Sequence, residues 1–253
     1  MRLSHAARTG LLALVLGLLL VSAAFAQPGP QQQQKPENLK VLPEDMPIQQ
    51  VRRVMGGFTR ALGVRCLYCH VGEEGKPPST YDFASDDKEA KEVARVMMRM
   101  VHSINEDFVK TAPGDGEKLS VNCETCHRGV ARPQMLEDML ADYVAEKGVD
   151  EAVAEYNRLR EQYYGGFSYN FQEPTLIRTA QQLLDAENPD AALRFLDLNA
   201  EFFPNSSQTH AAMAEAYLAK EDKAAAIQHV EKALELNPND RRLQQWLEDL
   251  KNQ

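Results

Sequence analysis

Two C-x-x-C-H motifs constrain this chain more than any other feature, because together they use all four of its cysteines. The first motif occupies residues 66–70 (CLYCH) and the second residues 123–127 (CETCH). The pattern is the attachment signature of c-type haem, in which both thiols bond to the porphyrin and the adjacent histidine binds its iron. We therefore expect two covalently bound haem c groups. The attaching thiols would be Cys66, Cys69, Cys123 and Cys126, and the proximal iron ligands His70 and His127.

Two other classes of protein use paired cysteines. A thioredoxin-like redox protein has a C-x-x-C motif, usually once and near a βαβ pattern, whereas strand signals are weak throughout this chain. A zinc site of four cysteines has its two C-x-x-C knuckles about 15–20 residues apart, without a histidine after each. Neither pattern fits the spacing found here as well as haem attachment does.

The first 26 residues are typical of a secretory signal peptide. Arg2 and Arg8 precede an apolar core from Leu11 to Val21, and residues 24–26 (AFA) match the A-x-A cleavage pattern. Export agrees with haem attachment, which takes place outside the bacterial inner membrane. We therefore expect a periplasmic protein, with an uncleaved N-terminal membrane anchor as the alternative.

The formal net charge of −9 bears on the choice of partner. An acidic surface argues against nucleic acid and anionic lipid as partners, because both are negatively charged. The same charge would steer basic redox proteins toward the chain. It would equally serve only to keep an exported protein soluble, and the sequence does not choose between these two interpretations.

Composition divides the chain into a short disordered linker and three segments that are expected to be all-α. Residues 27–37 are rich in glutamine and proline and predict a disordered linker. A dihaem cytochrome domain of two helix–loop–CxxCH units is expected over residues 38–133. A helical connector over 134–172 and tetratricopeptide-like repeats with a capping helix over 173–253 complete the predicted order.

A helix is predicted immediately before the first motif, from Pro47 to Leu62. Apolar residues recur along it at helical spacing, and Gly63 is a plausible stop. Gly56 and Gly57 lie in its middle, where each costs about 0.5–1 kcal/mol relative to alanine. A flat porphyrin against the helix would explain their lack of side chains. Met55, directly before them, is then a candidate sixth ligand of the iron.

A second helix is predicted from about Asp87 to Val109, with Asp86 and Glu89 as a capping box. Met97 and Met100 both fall on its apolar face. Either could therefore serve the second iron, and spacing alone does not choose between them.

The residues around both motifs resemble the photosynthetic reaction centre cytochrome c subunit family, over roughly residues 42–133. The resemblance is carried by VMGGFTRALGVRCLYCH in the first unit, and by MVHSIN and CETCHRG in the second. It implies methionine sixth ligands at Met55 and Met100. This chain departs from the family in having motifs for two haems rather than four, no lipid-anchoring cysteine and an unrelated C-terminal region. Photosynthesis is therefore carried over only as a family label.

The C-terminal region repeats with a period of 34 residues, which is the tetratricopeptide period. The repeat is seen in matched pairs: Ala180 with Ala214, Ala192 with Ala226, and Pro204 with Pro238. Such helix pairs form either a concave docking surface for a protein partner or a helical cap on the haem domain. Both interpretations remain open at the level of sequence.

The function expected from these patterns is electron transfer between redox partners, without enzymatic activity. Histidine and methionine would fill both axial positions of each iron and leave no place for a substrate. One alternative is a dihaem peroxidase-like enzyme, with a labile second haem. The other is a redox-sensing module that uses the haem groups as sensor and the repeats as output.

Overall fold

The computed structural model describes residues 35–114 and 119–252. The predicted signal peptide (1–26) and most of the predicted linker (27–37) lie outside these residues. Ten α-helices are found in the described part of the chain, which confirms the all-α prediction. They are α1 (Ile48–Leu62), α2 (Glu89–Ser103), α3 (Cys123–His127), α4 (Leu136–Lys147), α5 (Val149–Tyr163), α6 (Glu173–Asp185), α7 (Pro189–Phe202), α8 (Ser207–Ala219), α9 (Lys223–Leu236) and α10 (Arg241–Asn252).

Helix α1 has nearly the bounds that the sequence predicts. It ends at Gly63, whose φ of 66° lies in the left-handed region that glycine adopts without strain. Short 3₁₀ turns follow at Cys66–Tyr68 and Pro78–Thr80. An isolated antiparallel bridge between Val71 and Asp82 closes the loop between the two turns.

Helix α2 begins at Glu89, and the predicted capping box of Asp86 with Glu89 is wrong, because no side chain caps this helix. The Asp86 carboxylate binds cations instead. It lies 2.6 Å from Lys40 Nζ, 2.9 Å from a guanidinium nitrogen of Arg95 and 3.2 Å from Lys91 Nζ. This cation cluster ties the start of the described chain to α2. Beyond Ser103 the helix continues as a wider π-helical turn, Ile104–Val109.

Helices α6 to α9 follow one another with a period of 34 residues. Helices α8 and α9 begin and end 34 residues after α6 and α7. The connections match as well. Asn188 Oδ1 accepts from the Ala191 N–H at 3.2 Å, and Asp222 Oδ1 accepts from the Ala225 N–H at 3.0 Å. Each of these caps satisfies an otherwise unpaired N–H of the helix that follows it.

The apolar core lies mainly in the C-terminal helices. Leu140, Tyr156, Phe195 and Leu196 are each at most 1 % exposed and belong to one cluster that extends from α4 to α8. A second cluster joins α8, α9 and α10. Within the described residues, no helix is both long and apolar enough to cross a membrane.

The haem-motif region meets these helices loosely. Ser168 donates a hydrogen bond to the carbonyl oxygen of Arg128 at 2.7 Å. A cavity of about 480 Å³ lies between the end of α1, the segment after α3, and helices α4 and α5. Leu62, Val130, Met139 and Tyr163 are among the residues that line it.

Candidate haem sites

The first motif forms a single tight turn soon after α1. The N–H groups of Cys69 and His70 both donate to the carbonyl oxygen of Cys66, at 3.2 and 2.9 Å. These bonds hold both thiols and the imidazole within one turn of backbone. All three residues are half-buried. The arrangement suits attachment of one flat group by two adjacent covalent bonds.

His70 lies in a partly apolar setting. Its ring meets the edge of the Phe83 ring, with centroids 4.9 Å apart. The Nδ1 atom is buried and has no hydrogen-bond partner among the described residues. Burial, and then the positive charge of Lys91, lower the pKa of His70 below its usual value. A neutral imidazole is the form that binds a metal ion.

The second motif is the short helix α3, and two reciprocal hydrogen bonds cap its first turn. Asn122 Oδ1 accepts from the Thr125 N–H at 3.0 Å, while the Thr125 hydroxyl accepts from the Asn122 N–H at 3.1 Å. At the other end, Nδ1 of His127 lies 2.9 Å from the carbonyl oxygen of Val130. A histidine that donates from Nδ1 leaves Nε2 free to bind iron, in a fixed ring orientation.

The two predicted methionine ligands lie on the helices that precede the motifs. Met55 is half-buried on α1, and a Cβ built at either Gly56 or Gly57 would meet no atom within 4 Å. Met100 is 43 % exposed on α2, beside Val93 and Val96, which are 49 % and 46 % exposed. Both helices therefore present apolar surface that no described residue covers.

These observations test whether the residues fit a haem group. Among the described residues before Pro133, the buried apolar side chains are only Val51, Ala61 and Val130. The region therefore has no protein core of its own. An apolar porphyrin would cover the open faces of α1 and α2, and the Val130 carbonyl, which can only accept, favours the His127 tautomer that leaves Nε2 for iron. We conclude that the residues fit haem c at both motifs.

Asn105 is a structural residue that sequence reasoning missed. Its amide nitrogen donates to the carbonyl oxygens of Val101 and Val121, at 2.9 and 2.7 Å, and its amide oxygen accepts from the Val121 N–H at 2.7 Å. It thereby fixes the end of the helix that carries Met100 to Val121, two residues before Cys123. The only signal in the sequence is the asparagine that ends the run MVHSIN.

The two rival interpretations of the cysteines do not suit this geometry. All four cysteines are free thiols. Burial raises the pKa of Cys69 and of Cys123, whereas the reactive thiol of a thioredoxin-like pair needs a lowered pKa. In the described ranges, no three histidine, cysteine or acidic side chains come close enough together to hold a metal ion. The four thiols are therefore not gathered into a zinc site.

Two C-x-x-C-H turns on a helical scaffold, with a methionine-bearing helix before each, define the class of c-type cytochromes. The family model of the photosynthetic reaction centre cytochrome C subunit matches residues 19–162, which is more than half of the chain. The chain belongs to that family, and c-type cytochromes bind haem covalently through this motif.

Three curated relatives match the chain at modest sequence identity, and all three are named as cytochromes. A photosynthetic reaction center cytochrome c subunit of Rubrivivax gelatinosus is 33 % identical over 40 % of this chain and 28 % of its own length. Another, of Roseobacter denitrificans, is 36 % identical over 37 % of this chain and 24 % of its own. Cytochrome c-554 of Chloroflexus aurantiacus is 36 % identical over 33 % of this chain and 18 % of its own. The chain thus spans under a third of the length of these relatives.

Among solved structures, the first TPR of Spaghetti bound to an HSP90 peptide superposes with a TM-score of 0.33. The sequence identity is 16 %, and the match covers 46 % of this chain and 88 % of that one.

Proposed function

We propose that the chain is a periplasmic c-type cytochrome that holds two haem groups and carries electrons between redox protein partners. The observation that carries the proposal is the pairing of two C-x-x-C-H turns with helices whose apolar faces no described residue covers. Membership of a cytochrome family supports it. Photosynthesis remains a family label, because the chain spans only part of each relative.

Each predicted ligand has a defined role in this proposal. Haem c, when bound, supplies one-electron exchange between Fe(III) and Fe(II). The thiols of the two motifs anchor it covalently: Cys66 and Cys69 at the first, and Cys123 and Cys126 at the second. His70 and Met55 would hold the iron at the first motif, and His127 and Met100 would hold it at the second.

The chain's own residues would suit a carrier better than an enzyme. With one histidine and one methionine to hold each iron, no ligand position would be left for a substrate. The Val130 carbonyl holds the His127 ring in one orientation, and Asn105 holds the helix of Met100. Ligands held in place by the fold need little rearrangement when the iron changes oxidation state.

The remaining domains are also part of the proposal. We assign residues 1–26 to a signal peptide, 38–133 to the dihaem domain and 134–172 to the helical connector. Residues 173–253 would be tetratricopeptide-like repeats, which the 34-residue register of α6–α9 supports. These repeats would offer a surface for a redox partner. Any membrane attachment would run through an uncleaved N-terminal segment.

The test uses the full chain purified with its cofactors. Mass spectrometry should find two covalently attached haem groups. The oxidised protein should show two low-spin EPR signals and the weak near-infrared band of methionine-ligated Fe(III), and the reduced protein should not bind carbon monoxide. A Met100→Leu variant should open one iron to carbon monoxide, while the matched Met97→Leu variant should not.

Other results would point elsewhere. A single attached haem would remove the dihaem assignment. A wild-type protein that binds carbon monoxide would have an open iron, and peroxide turnover would then support the peroxidase-like alternative. Potentials that move when a partner binds the repeats would favour the redox-sensing alternative.

A further inference from the structure

The two proximal histidines differ in what their Nδ1 atoms meet. Nδ1 of His127 lies 2.9 Å from the carbonyl oxygen of Val130. Nδ1 of His70 is buried and has no partner with hydrogen-bond geometry among the described residues. The two motifs are otherwise alike, with two thiols and one imidazole in a single turn. The difference therefore lies in the surroundings of each imidazole.

Lys91 accounts for the missing partner of His70. Phe83 packs against the His70 ring, with centroids 4.9 Å apart, and the Nζ of Lys91 donates to the Phe83 carbonyl oxygen at 3.0 Å. Lys91 also donates to the carbonyl oxygens of Ala84 and Ser85, at 2.9 and 2.6 Å. Its side chain is only 12 % exposed. A largely buried ammonium group thus competes for the carbonyl acceptor beside the imidazole.

The charge of Lys91 is only partly neutralised. Asp86 lies 3.2 Å from its Nζ, but this carboxylate is shared with Lys40 and Arg95. Glu92 pairs with Arg95 at 2.9 Å and with Arg99 at 3.6 Å, so the cluster sets four cations against two anions. An ammonium group bound to the Phe83 carbonyl therefore keeps a net positive charge in the neighbourhood of His70.

Both effects act on the iron in the same direction. A hydrogen bond from Nδ1–H to a carbonyl makes the imidazole a stronger donor and stabilises Fe(III), so it lowers the reduction potential. A buried positive charge disfavours the more positive Fe(III) form and raises the potential. His127 has the first influence, and His70 lacks it while lying near the second.

We propose that Lys91 is a positioning residue that gives the haem at the first motif a higher reduction potential than the haem at the second. The inference rests on the proposed dihaem electron carrier and adds an order of reduction potentials between its two haem groups. Electrons that enter the protein collect at the first motif, and a partner that accepts electrons takes them from that side. Lys91 acts through the Phe83 carbonyl and through its charge, without touching the iron.

The experiment is a spectroelectrochemical titration of the full haem-loaded chain. The first haem is marked by Met55→His, because exchange of methionine for a second histidine lowers the potential of that haem alone. We expect the wild type to show two midpoints and Met55→His to lower the upper one. Lys91→Gln should lower the same midpoint, with about a tenfold change in the Fe(III)/Fe(II) ratio, or about 59 mV for one electron.

Two matched variants separate this role from simple loop packing. Lys40→Gln removes another cation bound to Asp86 but has no contact with the Phe83 carbonyl, so the upper midpoint should move less than in Lys91→Gln. Lys91→Arg keeps the charge and should keep the upper midpoint near the wild-type value. A loop-packing role alone would lower the melting temperature of Lys91→Gln and leave the potentials unchanged.

Three outcomes would overturn the inference. In the first, Met55→His moves the lower midpoint instead of the upper one. In the second, Lys91→Gln leaves the upper midpoint unchanged, and in the third, Lys40→Gln and Lys91→Gln shift it equally. If Lys91→Gln fails to load haem, the wild-type order marked by Met55→His decides the matter. If the proposed function itself is wrong, the results differ. Mass spectrometry then finds fewer than two attached haem groups, or Met55→His leaves both midpoints and the methionine-ligation band unchanged.

Discussion

Gly63 and Gly129 pack backbone against backbone and join the end of α1 to the second motif. A Cβ at Gly63 would lie 2.1 Å from the carbonyl oxygen of Gly129. The Gly129 N–H donates to the carbonyl oxygen of Ala61 at 2.8 Å. The helix that carries Met55 is thus fixed to the turn that carries His127. The two haem units are interlocked rather than placed one after the other.

Gly63→Ala should therefore destabilise the protein. The substitution places an alanine in the left-handed region, which costs about 1–2 kcal/mol. Its Cβ would also collide with the Gly129 backbone, which has no flexible side chain that could move aside. Gly75→Ala is the matched control, because Gly75 has a φ of 78° but a Cβ there meets nothing within 4 Å. Urea titration should show a larger loss for Gly63→Ala. Equal losses would mean that the contact with Gly129 yields without cost.

Gly56→Ala should have opposite effects with and without haem. In the haem-free chain a Cβ there meets no atom within 4 Å, and alanine favours a helix over glycine by about 0.5–1 kcal/mol. Circular dichroism should show equal or greater helix content. In the loaded protein, the added methyl group would lie between α1 and the porphyrin and weaken the methionine-ligation band. An unchanged band would place the haem away from Gly56.

Asn105→Ala should loosen the second unit. The substitution removes three hydrogen bonds and leaves the N–H and carbonyl of Val121 without their partner, which costs about 1–3 kcal/mol. Asn105→Asp keeps an acceptor for the Val121 N–H and should fall between alanine and wild type. Differential scanning calorimetry measures both. If the aspartate variant were the less stable one, the amide oxygen would not be the group that matters.

The His210–His229 pair should make the C-terminal helices less stable in mild acid. The two Nδ1 atoms lie 3.1 Å apart, and Tyr217 stacks on the His229 ring. Burial is the main cause that lowers the pKa of both histidines below 6.5. The unfolded chain then binds more protons between the lowered values and 6.5, so stability rises with pH across that window and is lost as pH falls through it.

Other charges near the pair modify this effect but do not reverse it. Lys232 lowers the pKa of His210 further and Glu235 raises it, while Asp197 raises that of His229. Melting curves at about pH 5.5 and about pH 7.5 should differ in wild type. The difference should shrink in a His210→Gln, His229→Gln double variant and persist in His102→Gln, whose histidine is exposed on α2. A pH dependence that survives the double variant would place its origin in other groups.

Local patterns were enough to predict much of this fold. The bounds of α1 and the 34-residue register of α6–α9 follow from apolar spacing and from glycine and proline at helix ends, which act within a few residues. The capping role of Asp86 was wrong because its cation partner Lys40 lies far away in the sequence. A local pattern cannot show such a competitor.

The sequence predicts which residues form the site, but it does not predict which other residues surround them in the fold. The C-x-x-C-H spacing identifies the thiols and imidazoles directly. Asn105 and Val121 lie 16 residues apart and meet only after the chain folds. Lys91 and the Phe83 carbonyl, eight residues apart, also meet only after the chain folds. The assignment of Met55 and Met100 as iron ligands stays a prediction until the spectra are measured.

The uneven distribution of apolar core has a consequence for biogenesis. Helices α4–α10 bury two packed apolar clusters, whereas the region before Pro133 buries three apolar side chains among its described residues. If thioether bonds form at both motifs, the porphyrin completes the missing core and cannot dissociate from it. Maturation would then be directional: the C-terminal half folds first and spontaneously, and covalent attachment makes the folding of the N-terminal half a one-way step.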